Sequence, residues 1–173
     1  MIHLALADTM PAFCSESCDQ MDRLSVRENP NTLTCDDIEK ILPHRQPMLM
    51  VDRILDYEPL KWAIGEKLMS RNDPVFAGHF PGYPVFPGVL SLEAIAQCGA
   101  CAVMTADEFK NSVPMFGGIK NARFRTPVRP GDVLRIECEL TNLKKNIGIA
   151  EGRAYVGDKL AVKCDFTFAI IEH

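Results

Sequence analysis

Residues 78–97 read GHFPGYPVFPGVLSLEAIAQ. The prolines Pro81, Pro84 and Pro87 each fix a backbone angle and push the preceding residue towards an extended conformation, so they predict a rigid, non-helical loop. After the third proline the residues are small and apolar with few interruptions, which predicts a helix over about 88–108. A helix that is apolar nearly all round is normally buried, so we expect this one at the centre of the fold.

The same stretch carries the groups of an acid–base site. His79 lies in the rigid loop, and histidine is well suited to take up and release a proton near physiological pH. Glu93 brings a carboxylate into the apolar helix, and the free N–H groups at the helix start, beside Gly88, can stabilise a developing oxyanion. The alternative is that His79 is an ordinary surface residue and Glu93 a solvated or salt-bridged one. The combination of prolines, glycine and acid favours the acid–base site.

Two further blocks of sequence, together with residues 78–97, resemble one protein family. Residues 42–53 read LPHRQPMLMVDR, and residues 122–132 read ARFRTPVRPGD. With residues 78–97, they resemble the FabZ-type (3R)-hydroxyacyl-acyl-carrier-protein dehydratases, whose signature is G-H-F-P-x-x-P-x-x-P-G-V-L-x-x-E-A-x-A-Q. The likeness is spread over roughly 33–173. The acid at position 93 is Glu, as in the FabZ type, where the FabA-type dehydratase-isomerases carry Asp.

The resemblance implies an α+β hotdog fold, in which a curved antiparallel sheet wraps a long central helix. One such domain is expected over 33–173, preceded by an N-terminal extension over 1–32. The smallest active unit would be a homodimer with two active sites at its interface, and the expected hexamer is a trimer of dimers.

The resemblance also implies the reaction. Members remove water from (3R)-3-hydroxyacyl groups on acyl carrier protein and give trans-2-enoyl products, in type II fatty acid biosynthesis. His79 would be the base, Glu93 contributed by the other subunit the acid, and the backbone N–H of Gly88 would polarise the thioester carbonyl. The reaction needs no metal or redox cofactor, since the substrate is carried on the phosphopantetheine arm of the carrier protein.

Two further groups of residues are candidates for substrate contacts. The first group would form the acyl tunnel and its gate: Phe80, Val89, Met115 and Phe116. The second group supplies every charge between residues 112 and 131, all of it basic: Lys120, Arg123, Arg125 and Arg129. This basic cluster is either a solvated strand edge or a docking patch for the acidic carrier protein.

Other parts of the chain predict the remaining elements. Thr34 and Asp37 have the spacing of a helix cap, so a short helix is expected over 35–42. Alternating apolar residues predict strands over 134–140 and 160–170, and between them small residues form one face of a further strand. Two earlier strands are expected, in the ranges 48–57 and 61–70.

Composition excludes several classes of protein. The net charge of −4 argues against general nucleic-acid binding, and no apolar run approaches the roughly 18 residues of a membrane span. Seven cysteines without a secretory signal indicate free thiols in the cytoplasm. Cys98 and Cys101 have the spacing of a redox pair, but their place deep in an apolar helix favours small core residues. No clustered spacing typical of a zinc site is present.

Two other functions are compatible with a hotdog domain. A hotdog thioesterase would release a free thiol, and a non-catalytic acyl-thioester-binding subunit would show no turnover. The pair His79 and Glu93 suits dehydration better than either alternative.

Overall fold

The structure is a computed structural model, and it describes residues 30–172. The predicted extension over 1–32 lies outside the described residues except for its last three. The chain contacts the sheet near the start of the described residues, where Leu33 and Ile54 form a backbone bridge.

Three α-helices and six strands make up the described chain. The helices are α1 Cys35–Ile41, α2 Val75–Gly78 and α3 Gly88–Met104, and a 3-10 turn follows at Asp107–Phe109. The strands are β1 Arg53–Glu58, β2 Trp62–Leu68, β3 Ser112–Phe124, β4 Val133–Lys144, β5 Ile147–Val156 and β6 Lys159–Glu172.

The strands form one antiparallel sheet in the order β1-β2-β4-β5-β6-β3. Helix α3 packs on this sheet, most closely on β4 and β2 and then on β5. The α+β arrangement predicted from the sequence, a long helix against an antiparallel sheet, is confirmed. Within the described chain β1 has only β2 as a neighbouring strand, apart from its single bridge to Leu33, and β3 pairs only with β6, so these two strands are the sheet edges.

Helix α3 begins at Gly88 as predicted, but it ends at Met104 and does not reach 108. Thr105 still donates its backbone N–H to the carbonyl of Cys101, and its hydroxyl donates to the carbonyl of Ala102 at 2.9 Å. The next residue, Ala106, turns to an extended conformation with ψ 136°, which stops the helix. The sequence shows no glycine or proline at this point, so nothing local indicates the stop.

The predicted cap of α1 is confirmed. The backbone N–H of Asp37 bonds to the Thr34 side chain, and the carboxylate of Asp37 accepts from the backbone N–H of Thr34 at 3.2 Å. The Thr34 hydroxyl, which donates to the Asp37 carboxylate at 2.6 Å, lowers the pKa of Asp37 to about 2, together with the Lys40 ammonium and the backbone N–H of Thr34. A carboxylate that bonds free N–H groups at a helix start is favoured in its charged form.

The strand predictions are confirmed in kind, with shifted bounds. Strand β1 starts at Arg53 and not near 48, because Met48 and Met50 bond to the Gln97 side chain of α3 and not to a neighbouring strand. Strands β4 and β6 extend the two predicted alternating runs to Lys144 and Glu172. A strand edge was one interpretation of the basic cluster, but no strand bounds were predicted for Ser112–Phe124, where β3 lies.

Small residues bring α3 close to the sheet. A Cβ at Gly152 of β5 would lie 2.1 Å from Cγ2 of Ile95, so only glycine allows this approach. Cys98 and Cys101 are 0% exposed, which confirms their interpretation as core residues. Burial raises the pKa of the Cys101 thiol to about 12 and that of Cys98 well above its usual value. No helix within residues 30–172 is long and apolar enough to cross a membrane.

Candidate active site

Two contacts fix the ring of His79, which directly follows α2. Its Nδ1 lies 2.7 Å from the carbonyl oxygen of Val85, and its ring stacks on Phe80 with 3.9 Å between the centroids. A carbonyl oxygen only accepts, so Nδ1 carries the hydrogen and donates it. The loop is closed by a second bond, from the backbone N–H of Val85 to the carbonyl of His79 at 2.9 Å. Nε2 is therefore the ring nitrogen that is free to accept a proton.

Gly88 supplies a free donor at the start of α3. Pro87 is the N-cap, and the Gly88 N–H has no acceptor among the described residues, as expected in the first turn of a helix. A Cβ at Gly88 would lie 2.6 Å from Cδ1 of Phe124, so the Phe124 ring packs directly over the glycine. His79 and Gly88 line the same cavity. The sequence pattern predicted these two residues as the base and the oxyanion donor of one site.

Glu93 lies one turn further along α3, and its surroundings are polar. Its Oε1 accepts from the side-chain nitrogen of Gln97 at 2.8 Å and lies 3.5 Å from Nε2 of His44. The Glu93 side chain is 20% exposed, so the carboxylate is half-buried and still reachable.

Glu93 lines a different cavity from that of His79. The Glu93 cavity runs between α3 and the sheet, and its walls are mostly apolar, with Met115 and Phe116 of β3 on one side and Ala150 of β5 on another. Each cavity of the single chain therefore holds only part of the predicted constellation: the His79 cavity has the base and the oxyanion donor, and this one has the acid.

The predicted tunnel residues divide between the two cavities. Met115 and Phe116 line the Glu93 cavity, and Val89 lines the His79 cavity. Phe80 lines neither, although it stacks on His79 and is 52% exposed.

The predicted basic cluster is exposed, and none of its members forms an ion pair with a carboxylate of the described chain. Arg125 lines the His79 cavity. Arg129 lies over the ring of Tyr83, 4.5 Å from its centroid, and donates to the Tyr83 hydroxyl, so it contacts the His79 loop. Lys120 and Arg123 lie on β3, opposite Asp165 and Lys163 of β6. The cluster therefore runs from the sheet edge to the mouth of the His79 cavity.

Sequence reasoning missed two polar residues of the site, His44 and Gln97. Gln97 had a usable signal, because it lies four residues after Glu93 and such pairs share a helix face. His44 had none beyond its place in residues 42–53, since its contact with Glu93 depends on how that segment crosses α3.

Comparisons with known proteins identify the family. The profile of the FabA-like domain matches residues 42–165. The 3-hydroxyacyl-acyl-carrier-protein dehydratase FabZ of Symbiobacterium thermophilum is 50% identical over 133 residues, which are 77% of this chain and 94% of that protein. The enzyme of the same name from Pelotomaculum thermopropionicum is 52% identical over 138 residues, 80% of this chain and 99% of that protein.

Solved structures share the fold at lower identity. The dehydratase heterocomplex ApeI:P from Xenorhabdus doucetiae matches with a TM-score of 0.65 at 21% identity, covering 76% of this chain and 89% of that one. The PaaI protein of E. coli, from the phenylacetic acid degradation operon, matches with a TM-score of 0.54 at 13% identity, covering 67% and 80%. These neighbours confirm the hotdog fold. The chain belongs to the FabA-like domain family and, within it, to the FabZ-type dehydratases.

Proposed function

We propose that this protein is a hydro-lyase that converts (3R)-3-hydroxyacyl groups on acyl carrier protein to trans-2-enoyl groups, in fatty acid biosynthesis. The observation that carries the proposal is about 50% identity to FabZ dehydratases over nearly their whole length, in a chain that keeps His79, Gly88 and Glu93.

His79 is the proposed base. Its Nδ1 is held by the Val85 carbonyl, so the bare Nε2 removes the proton from the carbon next to the thioester. The electrons move onto the thioester oxygen, and the free N–H of Gly88 stabilises that charge. When the electrons return, the bond from the β-carbon to its hydroxyl breaks. Glu93 gives its proton to the departing hydroxyl, which leaves as water.

This reaction moves protons and breaks a carbon–oxygen bond without any change of oxidation state, so no redox cofactor enters it. Within residues 30–172 no group of three or more His, Cys, Asp or Glu side chains is placed to hold a metal ion. We propose the cytoplasm as the location, which agrees with the five free cysteines of the described residues.

A homodimer joins the two half-sites in this proposal. Since His79 and Glu93 line different cavities of one chain, a complete site needs Glu93 from a second copy beside His79. The sheet offers a surface for that copy: β3 is an edge strand of 13 residues, and all of 115–121 is exposed. Met115, Phe116 and Ile119 of this strand are 42–52% exposed, and a long apolar edge of this kind pairs with another chain. A hexamer built from three such dimers stays a prediction from the family resemblance.

The basic cluster is the proposed docking surface for acyl carrier protein. Its side chains have no carboxylate partner in the described chain, and Arg125 and Arg129 lie at the His79 cavity and its loop. A phosphopantetheine arm that enters this cavity would carry an acidic protein to the cluster.

The experiment that tests the reaction follows the enoyl product from a (3R)-3-hydroxybutyryl thioester of acyl carrier protein. We expect turnover by the unmodified protein and a loss of about 100-fold or more in kcat for His79→Ala and for Glu93→Gln. Lys40→Gln, on the exposed face of α1, is the control and keeps full activity. Unchanged turnover in both site variants would refute the assigned roles, and release of free thiol would indicate a thioesterase.

The docking test uses a residue of the cluster that lines neither cavity and lies outside the exposed run 115–121 proposed to meet the second copy. Arg123→Glu should lower kcat/KM about threefold on the carrier-protein substrate, because the on-rate depends on steering. The same variant should retain its activity on the pantetheine thioester, which has no carrier protein. An equal loss on both substrates would contradict docking at this surface.

A further inference from the structure

Gln97 holds one oxygen of Glu93 in place. Its side-chain oxygen accepts from the backbone N–H of Met50 at 2.8 Å, while its amide nitrogen donates to the carbonyl of Met48 at 2.7 Å and to Oε1 of Glu93 at 2.8 Å. Both amide hydrogens are used, so the amide cannot turn over without losing these bonds. Gln97 is also 2% exposed, so no water competes for them. Oε1 of Glu93 is thereby fixed as an acceptor.

His44 approaches the same oxygen from the segment between α1 and β1. Its Nε2 lies 3.5 Å from Oε1 of Glu93, longer than an ordinary hydrogen bond of about 2.7–3.2 Å. The backbone of this segment is rigid, because the Arg45 guanidinium donates to the carbonyls of His44 and Leu42 at 2.7 and 2.9 Å. Acid–base contacts in ligand-free sites are often long and shorten when substrate binds.

The other ring nitrogen of His44 identifies the tautomer. Nδ1 is buried and has no hydrogen-bond partner within the described chain. Nε2 faces a carboxylate oxygen, which accepts, so Nε2 carries the hydrogen. A second hydrogen on Nδ1 would bury a charged donor without an acceptor, which is unfavourable. His44 is therefore placed to donate from Nε2 towards Glu93.

We propose that His44 is a positioning residue for Glu93. The Nε2–H of His44 acts with Gln97 to hold Oε1 of Glu93, and this leaves Oε2 of Glu93 to carry the transferable proton. The inference rests on the proposed dehydration, in which Glu93 is the acid. With two donors on Oε1, the plane of the carboxyl group is set and its proton resides on Oε2. When substrate binds, Oε2 protonates the leaving hydroxyl, and Oε1 keeps both of its donors while the carboxylate is charged.

The location of the contact agrees with this role. His44 and Glu93 line the same cavity, and their side chains are 22% and 20% exposed. The pair is thus neither sealed in the core nor fully in water, so a substrate in the cavity can reach Oε2 while His44 and Gln97 stay behind Oε1.

Two amide variants of His44 test the proposal. Glutamine places its side-chain nitrogen near the position of the imidazole Nε2, whereas asparagine is one methylene shorter and reaches only the position of Nδ1. On the 3-hydroxybutyryl carrier-protein substrate, we expect His44→Gln to keep kcat within about threefold and His44→Asn to lose about tenfold. KM should change less than about twofold in both, because the contact acts on the proton-transfer step.

A double-mutant cycle separates positioning from packing. In Glu93→Asp the carboxylate is one methylene shorter and lies out of reach of His44, so adding His44→Asn should cost less than about twofold more in kcat. The proposal is overturned if His44→Asn retains full kcat, if the glutamine and asparagine variants lose equally or both unfold, or if the two losses multiply in the cycle. Absence of dehydration by the unmodified protein would instead refute the proposed function.

Discussion

A single side chain, Gln97, connects the loop before β1 to the acid on α3. Its three hydrogen bonds run to Met48, Met50 and Glu93, so the backbone of the loop and the position of the carboxylate depend on each other. Buried amides that use all their donors and acceptors favour one arrangement strongly, because any alternative leaves a polar group unpaired. The orientation of Glu93 is therefore a property of the folded loop and not of the helix alone.

The buried thiols give a prediction at the scale of single residues. Burial raises the pKa of Cys101 to about 12 and of Cys164 to about 11, so both stay protonated at pH 8 and react poorly with iodoacetamide. Cys35 is exposed and should be alkylated. Mass spectrometry of peptides from the native protein should show label on Cys35 and little on Cys101 or Cys164, and unfolding in urea should label all three. Rapid native labelling of Cys101 would support the redox interpretation of the pair with Cys98.

The catalytic candidates were recognisable in the sequence because their signal is local. His79, Gly88 and Glu93 lie within one short stretch, in which the prolines predict a loop and the apolar run predicts a helix. The contact between His44 and Glu93 joins two segments that are distant in the chain, and a single sequence holds no record of such pairings. Local chemistry was therefore predictable, including the i, i+4 pair of Glu93 and Gln97, whereas the long-range neighbour His44 was not.

The strands differ in how clearly they can be predicted from their sequence. Strand β4 has one buried and one solvent-facing side, so apolar residues such as Leu134 and Ile136 alternate with charged ones. Strand β3 shows no such alternation, because neither face is buried over 115–121. An edge strand without a buried face lacks the alternation that identifies strands in a sequence, which explains why no bounds were assigned to β3.

The packing of α3 on β5 gives a prediction for these two elements. Gly152→Ala would place a Cβ 2.1 Å from Cγ2 of Ile95, so the helix or the strand must move. We expect a loss of about 1–3 kcal/mol in the free energy of unfolding, measured in urea. Gly152→Ala should cost less stability in the Ile95→Ala background, which lacks the γ carbons, than in the unmodified protein. In the Ile95→Val background, which keeps the γ carbons, Gly152→Ala should cost as much as in the unmodified protein. Additive losses for Gly152→Ala and Ile95→Ala would contradict a clash at this contact.

Within residues 30–172 the molecule presents two proposed half-sites and an apolar edge strand, β3, that pairs only with β6. Since the proposed base and the proposed acid line separate cavities of one chain, the proposed reaction needs a second copy to bring them together. In a two-fold dimer the same surface contacts itself, and each chain lends its acid to the base of the other. Although the two groups lie apart in one chain, such a dimer would then hold two equivalent sites, each with one group from each chain.

Mixing two inactive variants tests this arrangement directly. His79→Ala keeps Glu93, and Glu93→Gln keeps His79, so a mixed dimer holds one site with both groups intact and one with neither. After equal amounts are unfolded together and refolded, half of the dimers are mixed, and the expected activity is about one quarter of that of the unmodified protein treated alike. The control is each variant refolded alone, which should stay inactive. If base and acid worked within one chain, no combination of the two variants would restore activity, and the proposal of shared sites would fall.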